Sequence, residues 1–171
     1  MHLILLSGGS GKRLWPLSND VKSKQFLKVL PGPSGKHESM VQRVYRQLQE
    51  VGGWDSITVA AGATQKDQLG LQLGDEVNIV IEPERRDTFP AIALACSYLH
   101  SERGVGLDEA IAVLPVDPFV ELDYFKNIAK FAELIKENPK ALVLMGAAPV
   151  IPSEKYGYII PKSKDNISEV E

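Results

Sequence analysis

Short apolar runs and amphipathic stretches alternate along the chain, and this alternation predicts the fold class. Five apolar runs predict buried strands at residues 3–6, 57–61, 77–81, 110–114 and 141–145. Between them, apolar side chains at helical spacing predict helices at residues 38–50, 65–73, 91–100 and 124–136. Strands that alternate with helices in this way are typical of an α/β fold, in which both faces of a largely parallel sheet are covered.

Polar or glycine-rich segments follow four of the predicted strands. They are residues 7–13, residues 82–90, Asp117 and the stretch that begins at Gly146. The carboxyl ends of parallel strands meet at one edge of a sheet, and open α/β sheets bind their ligands at that edge. We therefore expect these segments to form one site.

The first of these segments has the composition of an anion-binding loop. Residues 7–11 read Ser-Gly-Gly-Ser-Gly, so few side chains prevent a ligand from approaching the backbone N–H groups. Lys12 and Arg13 follow at once and add positive charge. Exposed amides beside two cations favour a phosphate chain as the ligand.

Two common phosphate-binding motifs do not fit this loop. A Walker A loop requires Gly-x-x-x-x-Gly-Lys-Ser/Thr, whereas Leu6 occupies the place of its first glycine and Arg13 that of its hydroxyl residue. The dinucleotide fingerprint Gly-x-Gly-x-x-Gly, begun at Gly9, has Leu14 where its last glycine belongs. A glycine-rich turn without a ligand is the alternative interpretation.

Two charged residues elsewhere are candidates for the same site. Lys24 precedes the apolar pair Phe26 and Leu27, which could fix its backbone while its ammonium group reaches the phosphates. Asp117 follows a predicted strand and is a candidate Mg²⁺ ligand, because this cation prefers carboxylate oxygens. A turn or helix-capping aspartate is the alternative interpretation of Asp117.

Composition narrows the classes of function. The net charge of −3 argues against a general binder of nucleic acid or of membrane surfaces. Cys96 is the only cysteine, which excludes an internal disulfide and a zinc site built from cysteines, and its apolar neighbours indicate a buried small residue. No apolar run approaches the ~20 residues of a membrane span. At 171 residues the chain fits one domain. We expect a cytoplasmic protein.

The order of the segments resembles that of the sugar-nucleotide pyrophosphorylases, a family of nucleotidyltransferases. Residues 6–18 are similar to the family's phosphate loop, and residues 24–27 to the end of its Pro-Lys-Gln-Phe-Leu element. Residues 82–92 resemble its Glu-Pro…Arg-Asn-Thr-Ala-Pro-Ala-Ile segment. Residues 113–117 are similar to the strand that ends in its metal-binding aspartate, and residues 146–159 to its sugar-side loop. Within the family, the likeness is greatest to guanylyltransferases that act on mannose-1-phosphate.

The resemblance implies a Rossmann-like fold of the nucleotide-diphospho-sugar transferase type, with three α/β/α layers and a mainly parallel mixed sheet. It implies that an NTP and a sugar-1-phosphate react to give an NDP-sugar and pyrophosphate, with Mg²⁺ as cofactor and GTP and mannose-1-phosphate as the first choice of substrates. The catalytic residues implied are Arg13, Lys24 and Asp117, with Asp117 as the metal ligand. The nucleotide-binding residues implied are Leu6, Ser7, Gly8, Gly9, Ser10, Gly11, Lys12, Arg13, Glu82, Arg86, Asp87, Thr88 and Pro90. The sugar-binding residues implied are Gly146, Tyr156 and Gly157.

The sequence departs from the family's pattern at four points. Ser23 replaces a proline, Asp87 replaces the common asparagine, and Pro118 stands where the guanylyltransferases carry histidine. Glu171 precedes the family's Phe-x-Glu-Lys-Pro segment and the later aspartate that completes metal binding, so we expect residues 1–171 to be the N-terminal part of a catalytic domain. A sister enzyme with another base or sugar is one alternative, and a non-catalytic regulatory subunit that binds nucleotide sugars is another. The oligomeric state is open, a homo-oligomer included.

Overall fold

The computed structural model describes residues 1–8, 16–18, 23–33, 35–138, 142–155 and 157–163. The chain divides into two compact units, Met1–Ala141 and Leu142–Glu171. The first unit contains every helix and every strand of two or more residues in the described part of the chain. Within the described residues, no helix has both the length and the apolar character needed to cross a bilayer.

A four-stranded, wholly parallel sheet forms the centre of the first unit. Its strands are β1 (His2–Leu6), β4 (Ser56–Gly62), β5 (Asn78–Glu82) and β6 (Ile111–Pro115), in the spatial order β5-β4-β1-β6. The chain therefore adds β4 and β5 on one side of β1 and then returns to place β6 on its other side. This reversal makes the boundary between β1 and β6 a topological switch point, where open α/β sheets bind ligands.

The helices follow the strands in the alternating order that the sequence predicts. They are α1 (Met40–Val51), α2 (Lys66–Leu73), α3 (Thr88–Arg103), α4 (Leu122–Ala129) and α5 (Phe131–Glu137). Single 3₁₀ turns occur at Lys24–Phe26 and Ala63–Gln65, and a separate antiparallel hairpin joins β2 (Leu30–Pro31) to β3 (His37–Glu38).

Both faces of the sheet are covered, as the α/β prediction requires. Ile4 of β1 and Ala60 of β4 pack with Ala95 and Leu99 of α3 in one hydrophobic cluster. Neighbouring side chains of a strand point to opposite faces, and Leu3 and Leu5 are as completely buried as Ile4. Other elements must therefore cover the second face, which confirms the layered arrangement.

Helix α1 begins with a complete capping box. The Ser39 hydroxyl accepts a hydrogen bond from the Gln42 backbone N–H at 3.3 Å, and the Gln42 side-chain oxygen accepts one from the Ser39 N–H at 3.1 Å. These bonds satisfy two donors that a helix start otherwise leaves without partners. The helix then buries Val41, Val44 and Leu48 on one face, as the apolar spacing predicts.

Three details differ from the sequence prediction. Residues 142–145 are not in a strand, so the predicted fifth strand at 141–145 is wrong over these residues: an apolar run forms a strand only beside a hydrogen-bonding partner. The predicted helix at 124–136 is two helices separated at Lys130. Helix α3 begins at Thr88, three residues before the predicted start at residue 91. Pro90 is tolerated in its first turn because the backbone N–H groups there have no partner within the helix, so the missing N–H of proline costs no hydrogen bond.

Candidate functional site

Three of the four predicted site segments begin at the same edge of the parallel sheet, after β1, β5 and β6. Leu6 of β1 lies beside Ala60 of β4 and Pro115 of β6, and Glu82 of β5 lies beside Gly62 of β4. The pairing continues past the strands, since Ser7 donates its backbone N–H to the Ala60 carbonyl at 2.8 Å. Parallel alignment therefore brings Ser7, Glu82 and Asp117 to the carboxyl edge, as predicted.

The 3₁₀ turn Lys24–Phe26, here called the edge turn, connects the ends of two neighbouring strands. The Lys24 ammonium group forms an ion pair with the Asp117 carboxylate, which follows β6. The Gln25 side-chain amide donates to the Ser7 carbonyl at 3.0 Å and lies 3.2 Å from the Ser7 hydroxyl oxygen, just beyond β1. Consecutive residues of one turn thus hold both sides of the switch point.

The edge turn is itself fixed by buried contacts. Phe26 is 1% exposed and anchors the turn in the core. The Gln65 side-chain amide donates to the Ser23 hydroxyl at 3.2 Å, and the Gln72 amide donates to the Phe26 carbonyl at 3.1 Å. Side chains from the neighbouring 3₁₀ turn and from α2 therefore fix the backbone on both sides of Lys24.

Solvent exposure separates the two halves of this arrangement. Gln25 and Ser7 are buried, at 2% and 0% exposure. The side chains of Lys24 and Asp117 are partly exposed, at 40% and 35%. The buried amide contacts can act as a fixed support. The exposed charged pair is accessible to an anionic ligand or a cation.

Glu82 lies beside the beginning of the glycine loop. A Cβ atom added to Gly8 would be 3.9 Å from the Glu82 carboxylate oxygen Oε1, so the Glu82 carboxylate is a neighbour of Gly8. Burial raises the pKa of the Glu82 carboxyl group, and the positive charge of Arg85 opposes this shift. Glu82 and Arg85 line a cavity of about 310 Å³ at the ends of β4 and β5.

The segment between β5 and α3 presents its predicted residues to solvent. Arg86 forms an ion pair with Glu84 of the same segment at 2.8 Å. Asp87 has φ +65° and ψ −167°, a conformation that glycine adopts readily and other residues rarely do. Thr88 and Pro90 are exposed in the first turn of α3.

The sugar-side candidates belong to the second unit. There, a Cβ atom added to Gly146 would be 3.4 Å from the Ile159 side chain, and Gly157 has open space around its Cα. Tyr156 lies outside the described residues, as do Gly9, Ser10, Gly11, Lys12 and Arg13 of the glycine loop. Their predicted roles remain predictions.

A different cluster has the composition of a metal site. His2, Asp55 and Glu109 place one possible ligand atom each within 4.8 Å of one another. They lie near the amino-terminal ends of the strands, at the edge opposite Asp117. The two ring nitrogens of His2 already contact the Ser56 hydroxyl at 2.8 Å and Glu109 at 2.9 Å, so this cluster has a structural explanation.

Comparison with known proteins assigns the chain to a family. Residues 2–171 match the family described as Nucleotidyl transferase. The chain belongs to the nucleotidyl transferase family. This membership confirms the resemblance inferred from the motifs, and it accounts for a parallel sheet with a glycine loop after its first strand.

Named relatives of the chain include a xanthan biosynthesis protein and a mannose-1-phosphate guanylyltransferase. The xanthan biosynthesis protein XanB of Xanthomonas campestris is 38% identical over 163 residues, which cover 91% of this chain and 32% of that protein. A mannose-1-phosphate guanylyltransferase of Salmonella montevideo is 32% identical over 162 residues, which also cover 91% of this chain and 32% of that protein. The chain thus spans about a third of the length of these relatives.

Two solved structures align with this fold. A protein of Thermus thermophilus titled mannose-1-phosphate geranyltransferase aligns with a TM-score of 0.64 and 27% identity, over 80% of this chain and 38% of that one. A Helicobacter pylori protein titled mannose-6-phosphate isomerase aligns with a TM-score of 0.56 and 20% identity, over 80% of this chain and 46% of that one, which supports the fold alone.

Sequence reasoning missed the buried amides that support the edge turn. In the sequence, Gln25 stands out only as part of the Lys-Gln-Phe-Leu match and Ser23 only as a departure from the family's proline, and Gln65 carries no recognisable signal. Glutamine is usually exposed, and its burial depends on acceptors brought near by the fold. Cys96, by contrast, is partly buried against the α3 cluster and burial raises its thiol pKa, as expected for a packing residue.

Proposed function

We propose that the protein is a sugar-1-phosphate nucleotidyltransferase, with GTP and mannose-1-phosphate as its first-choice substrates. The observation that carries the proposal is the Lys24–Asp117 ion pair at the switch point, held beside Ser7 by the edge turn. A lysine and a carboxylate next to an amide-rich loop suit a reaction between two phosphates. The relatives named as mannose-1-phosphate guanylyltransferases support this choice of substrates.

In the proposed reaction, a phosphate oxygen of the sugar-1-phosphate attacks the α-phosphorus of the nucleotide. A new P–O bond forms while the bond from the α-phosphorus to the bridging oxygen breaks, and pyrophosphate leaves with that electron pair. No covalent enzyme intermediate is required. The contribution of the protein is therefore to position the two substrates and to neutralise their charge.

The residues at the carboxyl edge divide this work. The backbone amides of residues 8–11 would bind the β- and γ-phosphates, and Arg13 would stabilise the negative charge of the departing pyrophosphate. Lys24 would lie between the nucleotide and the sugar phosphate, which otherwise repel each other. The cavity beside Glu82 and Arg85 would receive the ribose and base. Gly146, Tyr156 and Gly157 would contact the sugar.

The chemistry of Asp117 fits a Mg²⁺ ion. Mg²⁺ binds through one or two carboxylates, keeps several waters and takes further oxygens from substrate phosphates. Asp117 supplies such a carboxylate, and its side chain is 35% exposed. The ion would neutralise charge on the α-phosphate when bound. Lys24 would then exchange part of its contact with Asp117 for a contact with phosphate oxygens.

We also propose that this chain supplies the nucleotide-binding part of a larger catalytic domain. Its match to about a third of the length of the relatives supports this division. The test of the activity uses the full-length protein: each of four NTPs is combined with several sugar-1-phosphates, and pyrophosphate release is measured with and without Mg²⁺. GTP with mannose-1-phosphate is expected to react fastest. No release from any combination would refute the proposed activity.

A sister enzyme with another base or sugar is a second candidate. Asp87 and Pro118 depart from the guanylyltransferase pattern, and the strained backbone of Asp87 lies two residues after Arg85, which lines the proposed nucleotide cavity. Faster release with a different NTP or sugar phosphate in the same experiment would favour this candidate. Nucleotide-sugar binding without any release would favour a regulatory subunit instead.

A further inference from the structure

A second cavity lies away from the carboxyl-edge site, between the β2–β3 hairpin, α1 and the end of α2. Its volume is about 410 Å³, within the range of sites for small molecules. Its charged lining residues are Lys28, Lys36, His37, Glu38 and Arg46. We call it the hairpin cavity. Nothing in the proposed nucleotidyl transfer uses these side chains.

The hairpin cavity carries excess positive charge in a chain whose net charge is −3. Its one carboxylate, Glu38, is 8% exposed and already bound by Arg46 at 2.8 and 3.2 Å. Among the described residues, the Lys28 and Lys36 ammonium groups form no ion pair. With His37 neutral, the lining has two net positive charges, so an anion is the ligand that its electrostatics favour.

The walls of the cavity are held in place before any ligand binds. The Gly32 N–H donates to the Lys36 carbonyl at 3.0 Å, and a Cβ atom on Gly32 would be only 2.6 Å from that oxygen. Only glycine therefore permits this close turn. Elsewhere in the lining, the Gln42 amide donates to the Gln72 carbonyl at 3.0 Å and so joins α1 to the end of α2. Such preorganisation reduces the entropic cost of binding.

The hairpin cavity also offers neutral hydrogen-bonding groups. Tyr45 lies in its wall and offers a phenol hydroxyl, which is protonated at neutral pH and can donate a hydrogen bond. Gln49 adds an exposed amide from the same face of α1. Cations, donors and space for more than a single ion together suit a phosphate group attached to a polar body.

We propose that the hairpin cavity is a second binding site, for a small phosphate-bearing anion such as a phosphorylated sugar. Lys28 and Lys36 bind the phosphate, and Tyr45 and Gln49 contact the polar body. The proposal does not depend on the activity assigned to the carboxyl edge. Free inorganic phosphate shares the same charge chemistry, so the experiment compares the two sources directly.

The test is a titration of the isotopically labelled protein, followed by amide NMR signals. Ribose-5-phosphate and inorganic phosphate are added separately at constant ionic strength. We expect saturable shifts of the Lys36, His37 and Gln49 signals with ribose-5-phosphate, and weaker binding of inorganic phosphate. Signals of Gly8 and Glu82 report separately on the carboxyl edge, so failure at one site is distinguishable from failure at the other.

Two paired variants decide whether the lysines form a site. Replacing Lys28 and Lys36 together by alanine is expected to weaken binding at least about tenfold, which corresponds to ~1.4 kcal/mol. The matched control, Lys126→Ala with Lys136→Ala, removes the same charge from α4 and α5 and is expected to leave the affinity unchanged. Absence of saturable shifts, or equal weakening in both pairs, would overturn the proposal. Tighter binding of inorganic phosphate would overturn the assignment of a phosphorylated sugar.

Discussion

The edge turn gives the sharpest prediction, because one buried side chain connects it to the glycine loop. Gln25→Leu keeps a side chain of similar size at a position that is 2% exposed, but it removes both amide contacts with Ser7. A buried acceptor that loses its donor costs about 1–3 kcal/mol. In a domain of this size that cost lowers Tm by roughly 3–8 °C.

The same substitution is expected to affect catalysis more than stability alone would explain. Lys24 and Gln25 are adjacent, so a shift of the edge turn moves the Lys24 ammonium group relative to the phosphates. A displacement of about 1 Å in a positioning group can cost ~10² in rate. We therefore expect kcat for pyrophosphate release to fall about 100-fold, with a smaller change in KM. Gln25→Asn, which retains an amide on a shorter side chain, should recover part of kcat.

Gln47→Leu is the matched control for this experiment. Gln47 is also a buried glutamine, 3% exposed, and its amide donates to a backbone carbonyl, that of Val120, at 3.1 Å. Neither Gln47 nor Gln25 has a partner for its side-chain oxygen among the described residues. Gln47→Leu should lower Tm by no more than Gln25→Leu does, because the Val120 carbonyl still accepts from the Arg43 guanidinium at 3.4 Å, and it should leave kcat within a few-fold of wild type. If both variants lose stability and neither loses kcat, Gln25 has no positioning role.

Three further substitutions test individual features. Glu82→Gln should raise the free energy of unfolding at neutral pH. The pKa of the Glu82 carboxyl group is higher in the folded state than in the unfolded state, so the wild type loses stability as pH rises through the folded pKa. The stability difference between Glu82→Gln and wild type, measured by urea unfolding, should therefore increase from pH 4 to pH 7. Asp87→Gly should relieve a backbone strain of about 1–3 kcal/mol and raise Tm, although glycine offsets part of the gain through its greater unfolded entropy. Ser39→Ala should cost about 0.5–2 kcal/mol in urea unfolding, because it removes the cap of α1. A pH-independent effect at Glu82, a lower Tm for Asp87→Gly or an unchanged midpoint for Ser39→Ala would each contradict its argument.

The sequence predicts most of the sheet because burial on both faces produces continuous apolar runs. Residues 57–61 and 110–114 fall in β4 and β6 within one residue at each end. The run at 141–145 is equally apolar, yet residues 142–145 form no strand. An apolar run shows only that a segment is suited to a buried strand, whereas strand formation also requires a partner strand at the correct distance and register.

The candidate site is predictable at its edge but not in its contacts. Ser7 and Asp117 each follow an apolar run, so the sequence predicts that both lie at the carboxyl edge. The observed strand order then makes β1 and β6 neighbours. The pairing of Lys24 with Asp117 joins residues far apart in the chain, and the amide of Gln25 reaches Ser7 only because Phe26 fixes the turn. Long-range contacts of this kind depend on packing that no local pattern encodes.

The most direct test of the proposed activity compares two aspartate variants of the full-length protein. Pyrophosphate release from GTP and mannose-1-phosphate is measured in Mg²⁺ for wild type, Asp117→Asn and Asp108→Asn, the last being an exposed aspartate in the loop before β6. We expect Asp117→Asn to lower kcat by about 10²–10³ because it removes a preorganised charge, and Asp108→Asn to behave as wild type. Equal rates for all three proteins would contradict the central role given to Asp117.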